Sequence, residues 1–126
     1  MGTFRVPIEV GDPQGQRYVP VEALVDTGSS YTALAASLLR ALGVQPRERR
    51  LFELADGRRV ERDMAQTWVR IDGRAAIVPV VFAEDDTLPL LGAVTLEIFG
   101  LAVDSVRRRL VSVPGLLMQA DLRRGT

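Results

Sequence analysis

Residues 23–30, Ala-Leu-Val-Asp-Thr-Gly-Ser-Ser, constrain the fold more than any other stretch of this sequence. Three apolar residues predict a buried strand ending at Asp26, whose carboxylate would then lie where the dielectric constant is low. Gly28 allows a tight turn that brings N–H groups close to this carboxylate, and Thr27 and Ser29 supply hydroxyls for the same network. Two interpretations remain open: a carboxylate with a chemical task, or an Asp that caps a helix or makes an Asx turn.

The residue types that are missing restrict the chemistry. The 126 residues suffice for one domain and include no His, Cys or Lys, so all sixteen basic residues are Arg. An ordinary zinc site, a Ser-His triad, a thiolate nucleophile and a Schiff base are therefore excluded. If the chain is an enzyme, its acid and base groups are carboxylates, or Tyr18 and Tyr31. We expect no metal and no cofactor.

Charge and hydropathy give no sign of a nucleic-acid or membrane partner. Sixteen acidic residues balance the sixteen Arg residues. The first ten residues contain no apolar core of signal-peptide length, and no run reaches the ~18 apolar residues of a membrane span. We therefore expect a cytoplasmic protein.

Alternating apolar residues and glycine turns predict a mostly β fold. Residues 4–10 and 17–25 form a hairpin that leads directly into Asp26, and Pro7 indicates that the first strand has one free side. Asp-Gly pairs predict two further hairpins, one joining residues 51–54 to 59–63 and one joining 64–71 to 75–82. The apolar run 80–82 predicts a central strand.

Leucines recurring every four residues from 34 to 42 predict an amphipathic helix of about three turns. Ser30 or Thr32 would cap its start, and Gly43 would end it. The acidic residues 84–86 could bind a cation, but we interpret them as a solvated loop. Near the end, a short helix over residues 93–99 should stop at Gly100, and strands 101–104 and 107–113 should pair through Ser105 and Val106.

In this order, the elements resemble the retropepsin-like aspartic proteases, the family of retroviral proteases and their bacterial relatives. The resemblance spans residues 6–113 and depends on the Asp-Thr-Gly turn together with Leu90-Leu91-Gly92 some sixty residues later. It implies a single-domain closed β-barrel or sandwich with one amphipathic helix and one short C-terminal helix. The protease domain would span residues 1–115, and residues 116–126 would form a partly frayed tail.

The resemblance also assigns roles to particular residues. Asp26 would be the catalytic carboxylate, Thr27 would brace the active-site loop across a dimer, and Gly28 and Ser29 would complete the loop. Leu90, Leu91 and Gly92 would form the hydrophobic-hydrophobic-Gly motif that supports the loop, and the flap would carry Ala55, Asp56, Gly57 and Arg58. This flap departs from retroviral flaps, because it has Gly57 alone and is rich in Arg and Glu.

One Asp-Thr-Gly per chain is half of what aspartic protease chemistry needs. Two adjacent carboxylates must share a proton, so the catalytic form would be a C2 homodimer with Asp26 of each subunit at the axis. The strands over residues 5–10 and 107–113 are candidate interface segments. The substrate would be an extended peptide or unfolded protein. Two alternatives stay open: a catalytically silent dimeric peptide-binding module of the same fold, and a structural or regulatory β domain.

Overall fold

Nine strands and two short helices make up the part of the chain that this computed structural model describes, residues 3–120 and 122. The strands are Arg5–Gly11 (β1), Tyr18–Val25 (β2), Thr32–Ala35 (β3), Glu48–Glu53 (β4), Arg59–Ile71 (β5), Arg74–Ala83 (β6), Leu90–Leu91 (β7), Leu101–Asp104 (β8) and Arg109–Ser112 (β9). The helices are Ala36–Ala41 (α1) and Ala93–Phe99 (α2). The prediction of a mostly β fold with two helices is confirmed.

Seven strands form one sheet in the order β1-β2-β7-β3-β6-β5-β4, and β8 pairs with β9 in a separate antiparallel ribbon. The first strand also pairs with β5 through Glu9↔Arg70 and Val10↔Val69, which links β1 to the far half of the strand order. The pairs β2–β7 and β3–β6 are parallel. These two parallel pairs bring distant parts of the sequence together beside the turn that follows β2.

The predicted hairpins are confirmed. β1 pairs with β2, β4 with β5 around Asp56-Gly57, and β5 with β6 around Asp72-Gly73. At the last turn Asp72 has φ 52° and Gly73 has φ 81°, left-handed conformations that favour an Asp-Gly pair. Residues 59–63 and 64–71, predicted as separate strands, are one continuous strand. Among the described residues of β1, only Glu9 and Val10 pair with β5, so Pro7 has a free side as predicted.

The predicted three-turn helix over residues 34–42 is wrong in its length and start. Leu34 lies in β3, which pairs in parallel with β6 from Thr32↔Val80 to Ala35↔Ala83, and α1 has only six residues. Neither Ser30 nor Thr32 caps α1; its cap residue Ala35 makes no side-chain cap bond. Instead, the N–H of Ser37 donates to Asp85 Oδ1 at 3.0 Å. The helix ends at Ala41 with Leu42 as its C-cap, and the predicted stop residue Gly43 follows with φ 82°.

The core is built from residues of the seven-stranded sheet and of both helices. Its fully buried large side chains include Ile8, Leu34, Leu39 and Leu91, and Leu96 and Phe99 of α2 are also buried in it. The predicted central strand β6 lies between β3 and β5, with residues 80–82 buried. This core fixes β2, β3, β6 and β7 relative to one another, and these strands surround the Asp-Thr-Gly turn.

The C-terminal elements agree with the prediction except at the last strand, which is shorter than predicted at both ends and stops at Ser112. α2 stops at Gly100, which has φ 66°, and β9 begins at Arg109 after a four-residue turn rather than at residue 107. Beyond β9 the described residues form no helix or strand, and Leu116, Leu117 and Met118 are exposed. Of the tail predicted to fray, residues 116–126, positions 121 and 123–126 lie outside the described residues. Within residues 3–120 and 122, no helix is long and apolar enough to cross a membrane.

Candidate active site

Asp26 is the first residue after β2, and three backbone contacts define its turn. Its N–H donates to the carbonyl of Leu91 at 3.1 Å, and its own carbonyl accepts the N–H of Ser29 at 3.1 Å. The N–H of Gly28 donates to Asp26 Oδ1 at 3.0 Å, which fixes the orientation of the carboxylate. A side chain at Gly28 would crowd this oxygen, because a Cβ there would lie 3.2 Å from Oδ1.

The surroundings of the carboxylate differ from the prediction in two respects. The strand before Asp26 is buried at Ala23 and Val25, but Asp26 itself is only half-buried, and Thr27 and Gly28 are exposed. A single chain therefore leaves the turn open to solvent at Thr27 and Gly28. The Ser29 hydroxyl does not join the Asp26 network, because it donates to the carbonyl of Tyr31 at 3.0 Å.

The segment Leu90-Leu91-Gly92 lies directly against this turn. Leu90 and Leu91 pair in parallel with the last two residues of β2, and Leu91 is fully buried. Gly92 packs so closely that an added Cβ would lie 2.5 Å from the carbonyl carbon of Tyr31 and 3.0 Å from the carbonyl oxygen of Ser29. These contacts fit the support role that the resemblance assigns to Leu90-Leu91-Gly92. The catalytic role of Asp26 stays a prediction.

Two buried threonines connect β3 to α2 behind the turn, and sequence reasoning missed both. The hydroxyls of Thr32 and Thr95 are 2.6 Å apart in a hydrogen bond, and Thr32 Oγ1 also accepts the N–H of Gly92 at 3.1 Å. Both residues are fully buried. The signal was present for Thr32, because Thr32 and Leu34 alternate with Ala33 and Ala35 at the period of a strand.

A cleft of about 890 Å³ opens between the turn and the β4–β5 hairpin. The active-site turn contributes Gly28, Ser29, Ser30 and Tyr31 to its lining, and the Leu90-Leu91-Gly92 segment contributes Leu90. The remaining lining is largely apolar and comes from the hairpin, β6 and the following loop: Leu51, Phe52, Leu54, Val60, Val81, Ala83 and Leu88, with Arg50, Glu53, Arg58, Arg62 and Glu84 among them. Such a cleft can hold an extended peptide with apolar side chains.

The β4–β5 hairpin carries paired charges on both strands. Arg49 contacts Glu61 and Asp63 across the strands, and Arg62 contacts Glu84 in the acidic loop. At the tip, Arg58 donates from its backbone and its guanidinium to Asp56, which lowers the pKa of that carboxyl. Of the four predicted tip residues, Arg58 lines the cleft. The predicted loop over residues 84–86 therefore connects the hairpin to α1 through Glu84 and Asp85.

Tyr31 and Arg50 join the two sides of the cleft, a contact that sequence reasoning missed. Arg50 Nη1 donates to the Tyr31 hydroxyl at 2.8 Å, and Nη2 donates to Glu48 at 3.1 Å. Both hydrogen bonds raise the pKa of Arg50, and the bond to Tyr31 has the larger effect. Phe52 lies edge-on to the Tyr31 ring at 6.2 Å between centroids. The contact was not predictable from the sequence, because β4 and the turn are about twenty residues apart in the chain.

A family model described as aspartyl protease matches residues 6–98, which are 93 of the 126 residues. The chain belongs to the aspartyl protease family. All the residues to which we assign site roles lie inside the matched range, whereas β8 and β9 lie beyond it. No curated protein matches this family member.

The fold of this family member is also that of a solved viral protein. The solution structure of simian foamy virus (mac) protease superposes with a TM-score of 0.55 and 18% sequence identity, covering 76% of this chain and 94% of the viral chain. At this identity the similarity establishes the fold alone. The chain therefore belongs to the aspartyl protease family and has a retropepsin-like fold. Among the described residues, no cluster of His, Cys, Asp or Glu could hold a metal ion.

Proposed function

We propose that this chain is an active aspartic endopeptidase that hydrolyses peptide bonds as a C2 homodimer. The observation that carries the proposal is the half-exposed Asp26 carboxylate, held by Gly28 at the end of a buried strand. Gly28, not Asp26 itself, lines the adjacent and largely apolar cleft. Membership of the aspartyl protease family and the retropepsin-like fold support the same activity.

The dimer follows from the number of carboxylates that the reaction needs. The sequence contains one Asp-Thr-Gly, so the second carboxylate must come from a second copy of the chain. The exposure of Thr27 and Gly28 agrees with this proposal, because a partner can approach the turn directly. The strands over residues 5–10 and 107–113 remain the candidate interface segments, and the β1–β5 pairing supports a closed barrel in each subunit.

In the proposed dimer the two Asp26 carboxyls share one proton, because two like charges a few ångströms apart do not both ionise. The ionised carboxylate takes a proton from water, whose oxygen adds to the scissile carbonyl carbon. The protonated carboxyl donates to the carbonyl oxygen as the tetrahedral intermediate forms. The C–N bond then breaks, and a proton passes from the pair to the leaving amine. Because the reaction needs one protonated and one ionised carboxyl, activity should be lost at alkaline pH.

The β4–β5 hairpin would act as the flap over a bound peptide. It forms one side of the cleft through Phe52, Leu54 and Val60, opposite the active-site turn. An extended peptide lying between them would add a strand, with alternate side chains facing the apolar lining. The charge-paired hairpin with Gly57 as its only glycine favours a second candidate, a dimeric module that binds peptides in the same cleft without cutting them.

The proposal is tested by incubating wild type and Asp26→Asn with a denatured protein mixture at several pH values and identifying fragments by mass spectrometry. Asp72→Asn is the matched control, because Asn accepts the left-handed conformation of this remote turn. We expect fragments from wild type and the control, blocked by a transition-state-mimicking aspartic protease inhibitor, and none from Asp26→Asn. Equal cleavage by Asp26→Asn would refute the mechanism, and no cleavage by a dimeric wild type would favour the binding module.

Mixing the two proteins tests the shared site directly. If subunits exchange freely in a 1:1 mixture, about one quarter of the dimers have Asp26 in both subunits, and these dimers hold about half of the wild-type subunits. Activity per wild-type subunit therefore falls to about one half. A threefold excess of Asp26→Asn lowers it to about one quarter. Activity that stays constant per wild-type subunit, with exchange verified by a labelled subunit, would show that one chain carries the complete site.

A further inference from the structure

We infer that Tyr31 and Arg50 form a latch that fixes strand β4 against the active-site turn and so sets the width of the peptide cleft. The name latch refers here to the Tyr31–Arg50 contact. The effect of the latch on peptide binding rests on the proposed function, whereas its ordering of strand β4 does not. Both are positioning residues, because each acts on the position of β4 and not on the reacting atoms of the Asp26 pair.

The active-site side of the latch is rigidly held. The backbone of Tyr31 lies against Gly92, with no space for a Cβ between them, and its carbonyl accepts the Ser29 hydroxyl at 3.0 Å. The next residue, Thr32, is fully buried and hydrogen-bonded to Gly92 and Thr95. The Tyr31 side chain therefore starts from the same backbone that positions the Asp26 turn.

The hairpin side reaches Tyr31 by three separate interactions. Arg50 Nη1 donates to the hydroxyl at 2.8 Å, the Arg50 guanidinium carbon lies 5.4 Å from the ring centroid, and the Phe52 ring is edge-on to it at 6.2 Å. Glu48 accepts from Arg50 Nη2 at 3.1 Å and so orients the guanidinium. A planar guanidinium with several fixed donors suits this combined hydrogen bonding and stacking, which an ammonium group reproduces only in part.

The position of β4 in the sheet makes this contact important. Among the described strands, β4 is the last in the order and pairs only with β5. Its other side is held by side chains, and Tyr31, Arg50 and Phe52 all line the cleft there. Arg50 lies six residues before Asp56 at the hairpin tip, roughly 20 Å along an extended strand, so the latch acts near the base of the hairpin. Releasing it widens the cleft at that base and leaves a bound peptide with a less ordered wall.

The variants Tyr31→Phe and Arg50→Gln test the latch, and Arg49→Gln is the matched control. Tyr31→Phe keeps the ring and removes only the hydroxyl, whereas Arg50→Gln removes the guanidinium. Arg49 is the neighbouring residue of β4, but it pairs with Glu61 and Asp63 and does not line the cleft. Deuterium uptake of residues 48–53 reports on the hairpin, and the separate kcat and KM values for a cleaved peptide report on binding.

We expect both latch variants to increase deuterium uptake of residues 48–53 and to raise KM roughly two- to tenfold, with kcat changed less than about twofold. The range is modest because the Arg50 side chain is 42% exposed. The double variant should be no worse than Arg50→Gln alone, since both remove the same contact. Arg50→Lys, which keeps a cationic donor, should recover part of the loss.

Unchanged uptake and unchanged KM in both variants would overturn the inference, as would an equal effect of Arg49→Gln, which would indicate a general loss of hairpin charge. If wild type cleaves no peptide, the proposed function fails by that result, and the uptake measurement still decides whether the latch exists.

Discussion

Gly92→Ala should damage both stability and activity, and the reason is space alone. Gly92 has φ −94° and ψ 173°, an extended conformation that any residue adopts. An added Cβ, however, would lie 2.5 Å from the carbonyl carbon and 2.6 Å from the carbonyl oxygen of Tyr31. Both atoms belong to the backbone, so neither can turn away as a flexible side chain could.

The cost follows from the distance that the backbone must move. An ordinary carbon contact is about 3.5 Å, so relief requires a shift of about 1 Å in the strand after the active-site turn. Overpacking of this kind costs about 1–3 kcal/mol. The shift also disturbs the bond from Ala93 N–H to the carbonyl of Ser29, now 2.9 Å, and the bond from the Ser29 hydroxyl to Tyr31, about 1 kcal/mol each. The sum is a loss of about 3–5 kcal/mol in the free energy of unfolding.

Urea unfolding followed by far-UV circular dichroism measures this loss. With a slope of about 1–3 kcal/mol per molar urea, the midpoint should fall by at least about 1 M. Because the shifted backbone continues into the Asp26 turn, kcat should also fall, by up to about 100-fold. Gly73→Ala, at φ 81° in open space, separates backbone strain from crowding and should cost only about 1 kcal/mol, and Gly115→Ala should cost almost nothing. A Gly92→Ala protein as stable as Gly73→Ala would refute the reasoning.

Two further predictions concern a buried hydroxyl and an ion pair. Thr32→Val removes the acceptor of the buried Gly92 N–H, so the free energy of unfolding, measured by urea unfolding, should fall by about 2–3 kcal/mol. A loss below about 0.5 kcal/mol would contradict the role of this hydroxyl. The Arg70 guanidinium donates to Glu9 at 2.8 and 3.0 Å and holds the pKa of Glu9 below its ordinary 4.5. Because the pKa is lower in the folded chain, this contribution is complete above about pH 4.5 and is lost as pH falls through the folded value, so Glu9→Gln should flatten the acid side of a stability-pH curve measured by urea midpoints. An acid side as steep as that of wild type would argue against the pair.

The hairpins were predictable because their signals are local. Asp72 and Gly73 adopt left-handed conformations that few other residue pairs accept, and alternation across residues 4–10 reports burial on one face. The helix over residues 34–42 failed for the opposite reason. Leu34 fits a four-residue period and equally a two-residue period with Thr32, and only the parallel pairing with β6 decides between a helix and a strand.

The candidate site divides in the same way. Residue types and order point to Asp26, to the glycine beside it and to the Leu90-Leu91-Gly92 segment, because a turn that holds a carboxylate has a recognisable composition. The half-exposure of Asp26 and the Thr32–Thr95 bond were not predictable, since each depends on which segments meet from sixty or more residues away.

By itself, the sequence determined the hairpin strands, the Asp-Gly turns and the chemistry left to a chain without His, Cys or Lys, because these depend on neighbouring residues and on composition. Only the tertiary structure decided that the backbone at Gly92 leaves no space for a side chain, and that Tyr31 holds the hairpin through Arg50. Both are contacts between segments that are distant in the chain. Their geometry is set by how the sheet packs, which no local pattern of residues encodes.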